Sequence, residues 1–177
     1  VEEQIAAFHN APAALLFNSG YDANIGLIPA LTDRADLILF DQLVHASIRD
    51  GIQLSQAKSL KYRHNDLRHV EILLSKFSEE EERQVYVITE SVFSMDGDMP
   101  DLKKLVKLVE RFENAHLILD EAHALGVIGN KGAGLAQKED VENDIFARVV
   151  TFGKGLGSHG AAILGSEDLK EYLINYA

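Results

Sequence analysis

The sequence predicts an α/β layered fold around a largely parallel sheet, in one domain. Three observations support this. Short apolar runs alternate with amphipathic stretches along nearly the whole chain, the pattern of repeated βαβ units. The 177 residues are enough to bury one core. The polar residues able to do chemistry fall just after the apolar runs, where open sheets of this kind place their ligands.

The elements follow in order. The chain opens in helical periodicity, with Ile5 and Phe8 on one face. Ala13–Phe17 is the first candidate strand, and Ser19-Gly20-Tyr21 then leads into a helix over Tyr21–Ala30. Leu37–Phe40 is a strand, ending at Asp41, with His45 near the start of a helix over Val44–Leu54. Ser59–Tyr62 is the third strand, and Asn65 or Asp66 can cap a helix over Leu67–Phe77. The acidic run Glu79–Glu82 reads as a solvated loop before the strand Gln84–Glu90. Pro100-Asp101 opens a helix over Leu102–Glu113, whose stripe of Leu102, Leu105, Val106, Val109 and Phe112 is core packing. Strands His116–Asp120, Arg148–Thr151 and Ala161–Leu164 complete a set of seven. Only a glycine-rich turn separates the last two, so there is no room for a crossover and, as neighbours, they must run antiparallel. Leu169, Leu173 and Tyr176 lie about a turn apart in a closing helix. A chain that opens and closes in helical pattern, without an initiator Met, is expected to be a piece of a longer protein.

Composition narrows the function classes. With 46% hydrophobic and 25% charged residues and a net charge of −11, the chain has no basic cluster to neutralise phosphates, which argues against nucleic acid or an anionic membrane as a partner. The absence of cysteine excludes disulfides and thiolate metal sites. No apolar run approaches the roughly 20 residues that span a bilayer.

Several motifs compete. Gly155, Gly157 and Gly160 satisfy G-x-G-x-x-G, but a dinucleotide turn needs a helix directly behind it, and here the strand-like AAILG follows. Lys154 is followed by Gly155 rather than Ser or Thr, so a Walker loop fails as well. DEAH at 120–123 lacks the upstream phosphate loop and basic surface of a helicase, and Asp120, Glu121 and His123 without a second histidine are weak as a metal site. Pyridoxal phosphate fits better. A lysine in a glycine-rich turn, Lys154, can form an imine with the cofactor aldehyde. A strand-end aspartate, Asp120, can keep a pyridine nitrogen protonated. A Ser-Gly-Tyr turn at a helix start, residues 19–21, can present backbone N–H groups to a phosphate.

The stretches HAS (45–47), TESVFSMDGDMPDL (89–102), LDEAHALGVIGNKGAG (119–134) and TFGKG (151–155), in this order, resemble the α-oxoamine synthases. These are fold-type-I pyridoxal-phosphate enzymes that join an acyl-CoA to an amino acid with loss of carbon dioxide. The resemblance spans essentially all 177 residues. It implies a mostly parallel seven-stranded sheet with one antiparallel strand and helices on both faces. It also implies that residues 1–177 are the cofactor-binding large domain of a cytoplasmic homodimer, whose N-terminal segment and C-terminal small domain lie outside this chain. Residue by residue, Lys154 is expected to hold the cofactor and move the substrate α-proton, Asp120 to bind the pyridine nitrogen, and His123 the ring hydroxyl. His45 is expected to stack on the ring, Ser94 to reach the cofactor, and Thr151 with the backbone of Gly20 and Tyr21 to hold its phosphate. Glu90 is expected to support a neighbouring polar group, with bonding to loop amides nearly as well founded. His9, His64, His69 and His116 read as surface or packing residues, and His159 as a turn residue near Lys154. Within the family, TFGKG followed by GAAILGS most resembles the members that condense a pimeloyl thioester with L-alanine, which implies those substrates. Alternatives are a member resembling glycine C-acetyltransferase or serine palmitoyltransferase, a catalytically silent partner subunit, or a nucleotide-binding domain.

Overall fold

The computed structural model describes residues 1–77 and 83–177, so the acidic run Glu79–Glu82 lies outside the described residues. Seven strands form one sheet: β1 (Ala13–Phe17), β2 (Leu37–Asp41), β3 (Lys58–Tyr62), β4 (Val85–Glu90), β5 (Ala115–Asp120), β6 (Ala147–Thr151) and β7 (Ala161–Gly165). Their spatial order is β1-β7-β6-β5-β4-β2-β3. Six strands run parallel, and β7 is antiparallel to both β6 and β1. The tight glycine turn before β7 is the cause, because a chain that reverses in nine residues cannot re-enter in the same direction.

The helices are α1 (Glu2–Phe8), α2 (Gly20–Leu31), α3 (Ala46–Leu54), α4 (Leu67–Phe77), α5 (Leu102–Val109), α6 (Leu135–Lys138) and α7 (Glu167–Tyr176). Strand alternation divides the core between the two faces of the sheet. Ile38, Ile88, Ile118 and Val149 pack under α2, α3 and α7, through Leu27, Ile48 and Leu173 among others. Leu39, Val87 and Leu119 pack on the other face under α4, α5 and α6, and Val150 and Leu164 continue that face toward Ala6 of α1. The predicted stripe of α5 is buried at Leu102, Leu105, Val106 and Val109, with Phe112 packed beside it. Each such side chain contributes roughly 1.5–3 kcal/mol by leaving water.

Most strand and helix ends lie within one residue of the expectation, two helix boundaries differ by more, and one short helix was not expected. α5 stops at Val109 rather than Glu113, because Phe112 N–H turns back to Val109 O and Asn114 O is claimed by Val85 N–H of the sheet. The third helix begins at Ala46, with His45 as its N-cap rather than a helical residue. α6 has too few residues to leave a periodic signal in the sequence. The caps fall where residue chemistry placed them: Asp66 accepts from His69 N–H and Asp101 from Lys104 N–H. Among the described residues, no helix is long and apolar enough to cross a membrane.

Candidate active site

The carboxyl ends of β1, β2, β4, β5 and β6 lie at one edge of the sheet, and the polar residues that follow them surround one cavity of about 120 Å³. A single water needs roughly 10–15 Å³, so this space suits a larger guest. Glu90 and Asp120 end neighbouring strands and face each other across the ladder, which puts both carboxyl groups on the α2/α3 side. Asp120 is anchored at both oxygens: Oδ2 accepts from Asn24 Nδ2 at 2.9 Å, and Oδ1 from Ala122 N–H at 2.9 Å. Each carboxylate oxygen has a second lone pair, so Asp120 keeps acceptor capacity for a cationic ring nitrogen.

Lys154 stands in the turn between β6 and β7, with Nζ 2.8 Å from His123 Nε2. Burial pushes its ammonium pKa down, outweighing the opposing pull of Asp120 and Glu90, so more of the free amine is available to a carbonyl. His123 is also pushed down, first by burial and then by the Lys154 charge, which favours a neutral imidazole that can accept from the amine. Glu90 is raised to about 7, chiefly by burial and then by the adjacent Asp120 charge. The turn is seated by close backbone contact, since a side chain on Gly155 would collide with the Leu125 carbonyl.

The remaining wall is built for an anion. Ser19 caps α2, accepting from Asp22 N–H, and Gly20 and Tyr21 begin its first turn at the cavity rim. Thr151 Oγ1 is buried and has no hydrogen-bond partner. It points to Gly20, where any Cβ would strike it. An orphaned hydroxyl beside a helix N-terminus is a cradle for a phosphate group.

Lys154, His45, Asp120, His123, Gly20, Tyr21, Thr151 and Glu90 line one cavity. Ser94 does not join them: it lies in the turn after β4, exposed to solvent and away from the cavity lining. His159 is likewise exposed in its turn. Glu121 points away from Asp120. Its Oε1 caps α6 by accepting from Leu135 and Ala136 N–H, and its Oε2 is 3.8 Å from Arg148 on the opposite face, so DEAH does not present its carboxylates as one ligand set.

Comparison with known proteins places this geometry in a family. The aminotransferase class I and II profile matches residues 1–177. The chain belongs to the aminotransferase class I and II family. Within it, the chain is 53% identical over 175 residues to a Haemophilus influenzae protein provisionally named 8-amino-7-oxononanoate synthase, covering 99% of this chain and 46% of that protein. It is 50% identical, over 99% of its length, to a Neisseria meningitidis protein of the same provisional name. The chain thus spans about half the length of these relatives. Among solved structures, serine palmitoyltransferase from S. paucimobilis with bound PLP–myriocin superposes with a TM-score of 0.92 at 30% identity, covering 99% of this chain and 44% of that one. The 8-amino-7-oxononanoate synthase of Francisella tularensis gives 0.83 at 35% identity, covering 99% and 49%. These relatives are α-oxoamine synthases, the group that the sequence motifs resemble.

In this aminotransferase class I and II chain, sequence reasoning passed over two site residues. Asn24 is one turn into α2, buried, and donates to both Asp120 and Ser47. Its signal was an asparagine beside Ala23 and Leu27 on an otherwise apolar helix face. Ser47 was quoted within HAS without a role, and its hydroxyl bonds His45 Nδ1 at 2.8 Å. His64 joins Asp41 to Asp98, at 2.9 and 2.8 Å, and ties the loop after β3 to the loop after β4. Burial lowers the pKa of His64, but those two carboxylates outweigh it and leave the group raised.

Proposed function

We propose that this chain is the pyridoxal-phosphate-binding large domain of an α-oxoamine synthase. The full protein would condense an acyl-CoA or acyl-carrier thioester with an amino acid and release carbon dioxide. The observation that carries the reading is the meeting, in one cavity, of Lys154 with Asp120 and His123 at one end and the orphaned Thr151 hydroxyl against Gly20 at the other. That set has a place for an aldehyde, a ring nitrogen, a ring hydroxyl and a phosphate.

When bound, pyridoxal phosphate supplies an aldehyde for covalent attachment and a ring that accepts electrons from the α-carbon of an attached amino acid. The chain's own groups do the rest. Lys154, whose ammonium pKa is lowered, would hold the aldehyde and move the proton at the amino-acid α-carbon. Asp120, anchored by Asn24 and Ala122, would keep the ring nitrogen protonated. From their places on the cavity wall, His123 would bind the ring hydroxyl and His45, at the start of α3, would stack on the ring. Thr151 and the first N–H groups of α2 would hold the phosphate.

For substrates, we favour a pimeloyl thioester and L-alanine, giving 8-amino-7-oxononanoate in biotin synthesis. The names and 50–53% identities of the relatives support this. The closer superposition on serine palmitoyltransferase supports serine and a long-chain acyl thioester as the second reading. A cytoplasmic homodimer completed by segments outside this chain belongs to the same proposal. The test is borohydride reduction of the full-length protein with pyridoxal phosphate, followed by peptide mapping. An adduct on Lys154 that disappears in Lys154→Ala is expected, and none on Lys154 would sink the reading. Turnover of pimeloyl, acetyl, succinyl and palmitoyl thioesters with alanine, glycine and serine then separates the substrates.

A further inference from the structure

We propose that Glu90 is the positioning residue that sets both site histidines, holding the backbone of His45 and the proton of His123. This deepens the pyridoxal-phosphate reading and rests on it. Glu90 is 2% exposed at the end of β4, and its two carboxyl oxygens address two different elements. Oε1 accepts the backbone N–H of His45, the residue that caps α3, and so fixes where that ring leaves the helix. Oε2 lies 3.7 Å from His123 Nδ1, longer than a hydrogen bond but close enough for the carboxyl group's charge to act on that nitrogen. That nitrogen is buried without a hydrogen bond of normal length, although the Val92 backbone is near it.

From His45 the chain of contacts closes on itself. His45 Nδ1 meets Ser47 Oγ, Ser47 Oγ accepts from Asn24 Nδ2, and Asn24 donates to Asp120, which is the ladder partner of Glu90. One carboxyl group therefore braces the ring-stacking histidine, the hydroxyl-binding histidine and, through the loop, the nitrogen-binding aspartate. The groups facing it are Asp120 on β5, Asp41 at the end of β2, Lys154 in the β6–β7 turn, and the two histidines.

The sign of the effect on His123 follows from electrostatics. A negative carboxylate beside Nδ1 favours the tautomer with the proton on Nδ1, which leaves the Nε2 lone pair toward Lys154. Without that charge, only the Val92 backbone contact still favours a proton at Nδ1. Glu90→Gln retains the shape and can still accept from His45 N–H, but its amide presents N–H to Nδ1 and pushes the proton to Nε2, toward the amine and the ring hydroxyl.

The test uses the full-length protein loaded with pyridoxal phosphate. In Glu90→Gln, the pH midpoint of the cofactor absorbance transition should move by roughly one unit or more. kcat/KM should fall roughly 10–100-fold, mainly in kcat, with the circular dichroism unchanged. A second measurement needs no variant: 15N shifts of ring-labelled histidine in the wild-type apoprotein above pH 7 should show His123 protonated at Nδ1. A Glu90→Gln protein with the wild-type midpoint and rate, or His123 protonated at Nε2 in the wild type, would overturn the Glu90 assignment alone. A wild-type protein that develops no cofactor band would overturn the reading beneath it as well.

Discussion

Asp120 and Glu121 are adjacent acidic residues at the end of one strand, and they serve opposite ends of the molecule's chemistry. Asp120 faces the cavity, where His123 Nδ1 and Thr151 Oγ1 are wall atoms without a hydrogen-bond partner. Glu121 faces the other way into a cluster made for the protein itself. It caps α6 and lies beside Arg148, which in turn donates to the His9 carbonyl at 2.8 Å. Arg148 is 1% exposed, so its charge is tolerable only because Glu121 and Glu142 surround it. Strand alternation is the whole cause of the division. Asp120 borders the cavity and keeps spare acceptor capacity there, whereas Glu121 spends Oε1 on the α6 cap and meets Arg148 through Oε2 only as a charge 3.8 Å away, with no hydrogen bond between them.

The sharpest way to break this comparison is to neutralise the two carboxylates in turn. Asp120→Asn should lower turnover of the full-length enzyme on the order of 10²–10³-fold, the scale of losing one preorganised electrostatic partner, with little change in melting temperature. Glu121→Gln should do the reverse, costing on the order of 3 kcal/mol in urea denaturation by leaving Arg148 undercompensated, while the folded enzyme keeps its turnover number. If both substitutions cost stability and neither cost rate, the division would be wrong.

The two ends should also respond to pH with opposite sign. Glu90, raised to about 7 from an ordinary value of 4.5, keeps a proton in the folded state that the unfolded chain has released. Its contribution therefore makes the fold less stable as pH rises from 4.5 to 7. His9, bonded to the Ala133 carbonyl beside Arg148, is lowered to about 4 from 6.5, first by burial and then by that arginine. There the unfolded chain holds the extra proton, so stability is lost as pH falls from 6.5 to 4. Each window spans on the order of 3 kcal/mol. Relative to wild type, Glu90→Gln should tilt the stability–pH profile upward between pH 4.5 and 6.5, and His9→Gln should tilt it downward. Urea midpoints across that range give the slopes, and two unchanged slopes would refute the assignment.

The smallest effect expected is at Gly20. Gly20→Ala brings a methyl group onto Thr151 Oγ1, at a cost of roughly 1–3 kcal/mol in stability as the strand end shifts. It should also weaken pyridoxal-phosphate binding in a fluorescence titration more than it weakens binding of pyridoxal, which has no phosphate. Equal loss for both ligands would mean that this wall does not hold the phosphate.

Much of this was legible in the sequence because it depends on local pattern. Apolar period and turn composition located all seven strands, and the glycine-rich turn before β7 dictated its reversed direction. The positions of Asp120, Thr151 and Lys154 at strand ends placed them at one edge before any distance was known. Ser94, drawn from a family motif rather than from a strand end, is the expected residue found outside the cavity. Asn24 was missed because a helical asparagine carries no motif, and its role exists only through contact with Asp120, 96 residues away.

The sequence by itself determined which residue types stand at the carboxyl edge of the sheet, because strand and helix periods are local properties of the chain. The tertiary structure decided which of them act together. It set Glu90 against Asp120, turned Glu121 to the far face, and left Thr151 facing Gly20 without a partner. Desolvation and Coulomb interaction depend on distance in space and on burial, and the amino-acid order fixes these only once the sheet has assembled.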